Sequence, residues 1–159
     1  MKKIAFLSVV VLALTFLSGC GARKSQAYYD YKSKLIGTEL DGSYTIRAWG
    51  RARNSVDAYA QARKQAVRDV IFEGVQAASS NLDDLKPLCF DMNAKTKYED
   101  YFNAFFADGG DFEKYCSMKE RRLMSSNFSR TDNQAVAQVS VCVYRTKLKE
   151  KLIADGILK

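Results

Sequence analysis

The sequence predicts an α/β domain of the α+β type, in which a long helix and a C-terminal helix pack on a small sheet of about three strands. Residues 44–49 alternate between two sets of side chains, which is the period of a strand with two unlike faces. Residues 54–74 instead repeat apolar side chains at helical spacing. Residues 134–145 return to alternation, so the patterns together describe a sheet covered by a helix.

The first predicted strand lies in "SYTIRAWGRA", residues 43–52. Successive side chains of a strand point to opposite faces. The two faces are made of Tyr44, Ile46 and Ala48 and of Thr45, Arg47 and Trp49. Gly50 follows, and we expect the strand to end there.

The strongest helical signal begins after this strand. Either Asn54 or Ser55 can cap the helix, and Asp57 suits the positive end of its dipole. We therefore expect a long amphipathic helix lying on the sheet. Its apolar side consists of Val56, Ala60, Ala66, Val67, Val70, Ile71 and Gly74.

Residues 79–120 have a looser pattern and are predicted to form a helical insertion in the domain. Pro87 excludes a continuous helix, and Gly109-Gly110 ends the helix that "KYEDYFNAFF" suggests. Aromatic residues at helical spacing can form core or fill a partner's groove, and we interpret these as core. They are Tyr98, Tyr101, Phe102, Phe105 and Phe106.

The C-terminal part of the chain is predicted to form a hairpin and a helix. "RRLMSSNFSR", the turn-forming "TDN" and "QAVAQVSVCVYR" give the hairpin, with Val139, Val141 and Val143 on one face. The terminal helix extends from about Thr146 to Leu158. Its apolar edge consists of Leu148, Leu152 and Ile153.

The N-terminal residues predict export and a lipid anchor. Lys2 and Lys3 precede an apolar run from Ile4 to Leu14 that is too short for a stable membrane span, and the segment ends in "LSGC". This segment resembles the lipobox of bacterial lipoproteins. The resemblance implies removal of residues 1–19, a diacylglyceryl group on the Cys20 thiol and acylation of the new amine. Several acyl chains anchor a protein stably, whereas one holds it only marginally.

The lipobox resemblance also implies a location. Gly21 follows Cys20, without the aspartate that resembles an inner-membrane retention signal, so we expect an outer-membrane lipoprotein facing the periplasm. An ordinary secretory signal with a cysteine nearby, or a short membrane anchor, is the alternative interpretation. Residues 20–42 are then predicted to be the lipidated cysteine and a polar tether, and residues 43–159 a single domain.

Composition excludes several classes of protein. Without residues 1–19, which hold Lys2, Lys3 and no acidic residue, the chain keeps 23 basic and 18 acidic side chains, a net charge of +5. The basic residues are too dispersed for a nucleic-acid interface, so no nucleic-acid partner is expected. The chain has no histidine, which removes the commonest general base and metal ligand. We predict no cofactor, no metal centre and no enzymatic activity.

A resemblance to a known family covers about half of the mature chain. It rests on "IRAWGRARNSVDAYAQARKQAVRDVIFEGV" and on "AVAQVSVCVYRTKLKEKLIADGIL". These segments are similar to small bacterial lipoproteins related to the amino-terminal domain of the flagellar-assembly protein FlgT, in which a strand leads into a helix rich in Ala-Arg pairs. The resemblance implies a small α/β domain near an envelope machine, and the insertion at 79–120 departs from it.

Three cysteines remain once Cys20 carries lipid. Cys89 and Cys116 are candidates for a disulfide in an oxidising periplasm. By restricting the unfolded chain, such a disulfide would stabilise the fold by roughly 3–4 kcal/mol. Their spacing alone does not establish that the side chains meet. Cys142 lies in a predicted strand and is expected to be a small packing residue.

Carboxylate side chains are the remaining candidates for catalytic residues. Asp108, Asp111 and Glu113 surround the glycine turn of "DGGDFE", which lacks the alternating ligands of a calcium loop and is interpreted as a helix-ending turn. The alternative function is a carboxylate-based hydrolase or binder of cell-wall glycan that uses these residues.

The preferred function is non-enzymatic. Trp49 shares a strand face with Arg47 and Arg51, and it is either covered by the long helix or exposed as an anchor of the kind enriched at interfaces. We predict a docking or assembly component of an envelope complex, with a protein partner and a membrane contact through Cys20. A purely structural envelope protein that fills space or oligomerises is a further interpretation.

Overall fold

A computed structural model of the chain describes residues 31–120, 129–131 and 134–158, with side chains for 31–120 and 135–158. The strands are β1 (Lys34–Thr38), β2 (Tyr44–Ala52), β3 (Gln76–Ala77), β4 (Cys116–Glu120), β5 (Ser129–Thr131) and β6 (Gln134–Val143). The helices are α1 (Ser55–Phe72), α2 (Ala94–Lys97), α3 (Glu99–Phe105) and α4 (Arg145–Ala154), and Asp111–Tyr115 form a 3₁₀ turn.

The six strands form one mixed sheet in the order β3-β1-β2-β6-β4, with β5 also paired to β6. β2 and β6 are its antiparallel centre, in register from Tyr44↔Val143 to Ala52↔Ala135. Only β1 and β3 run parallel. The α+β class is confirmed, but the sheet has six strands instead of about three.

Two of the additional strands lie in segments for which the sequence predicts none. β1 belongs to the predicted tether at 20–42, and β4 belongs to the predicted insertion at 79–120. Each strand has five residues and contains a bulge, between Leu35 and Gly37 in β1 and between Met118 and Glu120 in β4. The bulges interrupt the alternation that identifies a strand in the sequence. The compact unit that contains this sheet includes the chain from Tyr31 onward, so part of the predicted tether at 20–42 belongs to it.

The long helix α1 lies on one face of the sheet. The Asn54 side chain caps it by accepting the backbone N–H of Asp57 at 2.8 Å, which selects Asn54 over Ser55 as the cap. Its buried side is made largely of small residues, so that the helix approaches β2 closely. Val56, which we expected on the buried side, is 72% exposed. The side chains of α1 that are buried are Ala58, Ala62, Ala66, Val67, Asp69, Val70 and Ile71.

The insertion adds a second layer of core to the C-terminal end of α1. The backbone N–H groups of Leu88 and Cys89 donate to the carbonyls of Val70 and Ile71, which have no partner within the helix. Phe102 and Phe105 of α3 are buried against this end, and the other aromatic residues of the segment pack around them. The interpretation of these aromatic residues as core is confirmed.

The C-terminal elements largely follow the prediction. β5 and β6 pair as an antiparallel hairpin, and Val139, Val141 and Val143 are buried. In α4, Leu148 and Leu152 are completely buried, whereas Ile153 is 45% exposed and does not belong to the apolar edge.

The predicted signal and lipidation site at 1–20 lie outside the described residues. Within the described part of the chain, no helix has the length and hydrophobicity needed to cross a membrane.

Candidate functional site

The two faces of the central sheet differ in what covers them. Ile46, Ala48 and Gly50 of β2 are buried beneath α1. The alternate residues Arg47 and Arg51 are exposed on the opposite face. We call this opposite face of β2 and β6 the outer face. It carries the three side chains that the sequence predicts as a partner surface.

Trp49 lies half-buried on the outer face, so α1 does not cover it. Its ring meets the ring of Tyr31 edge to face, with 5.4 Å between centroids and 80° between planes. The guanidinium of Arg51 sits 5.2 Å from the centroid of the same tyrosine ring. The three side chains form a cluster that combines an aromatic surface with a cation.

Tyr31 is the residue of this cluster that the sequence did not assign to the partner surface, although an aromatic residue of the tether could be expected to rest on the domain. It lies in the segment predicted to be a tether, and it approaches Trp49 because β1 pairs with β2 immediately after it. Aromatic side chains are uncommon in a polar tether, so the tyrosines near the N-terminus were a weak indication that this segment packs on the domain.

The two arginines of the outer face have no acidic partner among the described residues. Arg47 makes no hydrogen bond or ion pair with another described residue, and Arg51 makes only its contact with Tyr31. Their neighbour Lys34, opposite Arg47 on β1, donates to the Gln76 side chain at 2.8 Å. The face therefore presents positive charge that nothing described neutralises.

A notch of about 370 Å³ opens beside this cluster. It forms at the edge of β2, because the β1 register begins only at Lys34↔Arg47 while β2 continues to Ala52. We call this cavity the β2 notch. Its lining includes Tyr31, Trp49, Gly50 and Arg51 and, from α1, Gln61 and Gln65.

The acidic residues of the alternative function do not form a shared site. Asp108 pairs with Lys64 at 2.7 Å, Asp111 with Lys114 at 2.7 Å and Glu113 with Arg63 at 3.0 Å. The hydrogen bonds from Lys64 and Lys114 lower the pKa of Asp108 and of Asp111. A general acid at neutral pH requires a raised pKa, so these ion pairs disfavour that role.

The described residues contain no group of three or more acidic, cysteine or histidine side chains placed to hold a metal ion.

Cys89 and Cys116 do not form the predicted disulfide: both are buried free thiols. Cys89 is held at the end of α1 through its backbone, whereas Cys116 begins β4 opposite Val143. The thiol of Cys116 lies 3.5 Å from the Phe112 carbonyl, and burial raises its pKa to about 11. Cys142 is also buried and unpaired, in agreement with a packing role.

No protein-family model, curated protein or solved structure matches this chain. The resemblance to the FlgT-related lipoproteins thus stays a prediction from the sequence.

Proposed function

We propose that this protein is a non-enzymatic lipoprotein, anchored through Cys20, whose outer face docks onto a larger complex of the cell envelope. The observation that carries the proposal is the contact of Trp49 and Arg51 with Tyr31, beside Arg47, which forms no ion pair with a described residue. Tryptophan, tyrosine and arginine dominate the energy of protein interfaces, because they combine large apolar contact area with directional polar groups.

The length of the chain between Cys20 and Tyr31 limits how far the outer face can lie from a membrane anchor. Tyr31 lies eleven positions after Cys20, and an extended chain covers at most about 3.6 Å per position, or about 40 Å in total. An anchor at Cys20 would thus keep the face within this distance of the membrane. Docking would occur at high local concentration of any partner in the same membrane.

The carboxylate-based glycan hydrolase has less support. Its candidate residues Asp108, Asp111 and Glu113 each have their own cation, and none of them lines the β2 notch. A glycosidase needs two carboxylates facing one another across a cleft, with one of them protonated.

The docking proposal is tested by co-purification after cross-linking in cells. Trp49→Ala and the double variant Arg47→Ala/Arg51→Ala should each reduce the recovered partner by about tenfold, which is the scale of a hot-spot side chain. Phe90→Ala and Lys149→Ala are matched controls, since both residues are exposed away from the outer face. They should leave recovery unchanged.

Equal recovery from all four variants would remove the outer face as the docking surface. Turnover of muropeptides by the purified chain, abolished by Asp111→Asn, would instead favour the hydrolase.

A further inference from the structure

A cavity of about 260 Å³ lies between α1 and α3. We call it the α1 groove. Pockets that enclose a whole small molecule begin at about 300 Å³, so the size of the groove suits one large side chain of a bigger partner.

The floor of the α1 groove is aromatic. The rings of Phe72 and Phe102 meet edge to face, with 4.8 Å between centroids, and Phe106 stacks on Phe102 at 6.3 Å. Phe72 and Phe106 are only half-buried, so part of their apolar surface faces the cavity. Aromatic rings prefer edge-to-face or offset contact with a further ring, and this floor is therefore suited to an aromatic side chain.

The rim of the groove carries more cations than carboxylates. Arg68 is exposed and forms no ion pair with another described residue. Glu99 is the one acidic residue of the lining. Carboxylates on either side of a bound aromatic side chain would be attracted to such a rim. The cations of the rim are Lys64, Arg68 and Lys95.

Two of these cations have acidic partners outside the lining. Lys64 pairs with Asp108 at 2.7 Å, and Lys95 pairs with Glu73 at 3.3 Å. The side chains of Asp108 and Glu73 are 95% and 59% exposed. Ion pairs with such exposed carboxylates are weak, so a bound carboxylate can replace them.

Amide side chains on the rim favour a peptide over a simple anion. The Gln65 amide nitrogen donates to the buried Asp69 carboxylate at 2.6 Å, so its carbonyl oxygen stays available to accept an N–H. Gln61 and Asn103 are exposed, and neither forms a hydrogen bond with another described residue. A peptide backbone supplies N–H groups to these oxygens, whereas inorganic phosphate has none.

We propose that the α1 groove is a second docking site, which binds a short peptide segment of a protein partner in which carboxylates flank an aromatic residue. The aromatic side chain packs on Phe72 and Phe106, and the carboxylates bind Arg68 and Lys64. From Gln61 to Arg68 the distance along α1 is about 10 Å, which about three extended residues cover. The site goes beyond docking through the outer face, because two separate docking sites let one domain join two partners.

Binding can be measured by fluorescence anisotropy with the full chain in neutral detergent. The probe is a fluorescein-labelled hexapeptide, Gly-Glu-Phe-Glu-Gly-Gly. Two labelled comparison peptides replace both Glu by Lys or replace Phe by Ser. The probe should bind at least about tenfold more tightly than either comparison peptide, and raising the salt concentration should weaken it.

Charge reversal on the rim tests where the peptide binds. Arg68→Glu should weaken the probe by at least about tenfold and should strengthen binding of the lysine peptide. Lys149→Glu, the same charge change at an exposed site on α4, should alter both affinities less than about twofold. Circular dichroism confirms that each variant is folded.

Equal binding of the serine peptide, or no difference between Arg68→Glu and Lys149→Glu, would overturn the inference. Displacement of the probe by 3-phenylpropionate as effectively as by unlabelled peptide would also overturn it, because the groove would then bind a small aryl acid. None of these results bears on the outer face, since the α1 groove includes neither Trp49 nor an arginine of β2. Failure of this inference is therefore distinguishable from failure of the proposed function.

Discussion

At the scale of single residues, Gly50 determines how closely the sheet and the long helix approach. A Cβ at this position would overlap the Ala58 carbonyl oxygen and lie 2.5 Å from the Ala62 backbone nitrogen. Neither group belongs to a side chain that can rotate away, so β2 and α1 fit together only around a glycine. The same residue lines the β2 notch, so the approach of the helix also shapes the candidate site.

Gly50→Ala should therefore lower the free energy of unfolding by about 3 kcal/mol, because relief of the overlap requires α1 to move. Gly37→Ala is the matched control, since a Cβ there would meet only Thr45 at 3.9 Å. Urea denaturation of both variants measures the difference. A cost for Gly50→Ala no greater than that for Gly37→Ala would mean that α1 does not rest on β2 at this point.

At the scale of elements, one polar cluster joins the insertion to the C-terminal helix. The Tyr101 hydroxyl on α3 donates to the Asp155 carboxylate after α4 at 2.6 Å, and Lys151 binds the same carboxylate at 3.0 Å. Burial raises the pKa of Tyr101, so its hydroxyl keeps the donated proton. The hydrogen bonds from Tyr101 and Lys151 lower the pKa of Asp155.

Tyr101→Phe should cost about 1 kcal/mol of stability at neutral pH, a modest value because Asp155 is partly exposed to solvent. The pKa of Asp155 is lower in the folded state than in the unfolded chain. The stabilisation is thus complete above the unfolded value of about 3.9 and is lost as the pH falls through the folded pKa.

Thermal unfolding of Tyr101→Phe at pH 7 and at pH 3 tests this coupling. Tyr59→Phe is the control, because the Tyr59 hydroxyl has no hydrogen bond with a described residue. A Tyr101→Phe penalty that stays constant between the two pH values would contradict a role for the Asp155 charge.

The elements found from the sequence are those with long local periodicity. α1 and β6 have 18 and 10 residues, enough for the helical and strand periods to be seen in the chain itself. β1 and β4 are short, bulged strands held by pairing with distant residues, and no local pattern identifies them. Burial of Leu35 and Cys116 depends on those pairings.

The candidate site likewise contains some residues that the sequence identifies and others that only the tertiary structure brings in. The period of two places Arg47, Trp49 and Arg51 together on one face, so the sequence was sufficient for them. Tyr31 and Gln61 reach the site only through the tertiary arrangement of β1 and α1 on β2. Spacing also could not exclude the Cys89–Cys116 disulfide, because pairing depends on how the insertion folds.

At the scale of the whole molecule, the two faces of the central strands carry different residues. α1 covers one face and gives the domain its core, while the outer face carries two exposed arginines, neither of them in an ion pair with a described residue, beside an aromatic cluster. We therefore expect stability to depend on the covered side of β2 and docking to depend on its opposite side. Substitutions at Arg47 or Arg51 should change association with little effect on folding, because both side chains are exposed.

Site-specific photo-crosslinking in intact cells tests the central claim most directly. Benzoylphenylalanine at position 47, on the outer face, should capture one protein in stoichiometric amount, and Cys20→Ser should abolish the adduct by releasing the domain from the membrane. The same probe at position 149, on α4, should capture nothing comparable. Equal adducts at both positions, or none at position 47, would contradict docking through the outer face.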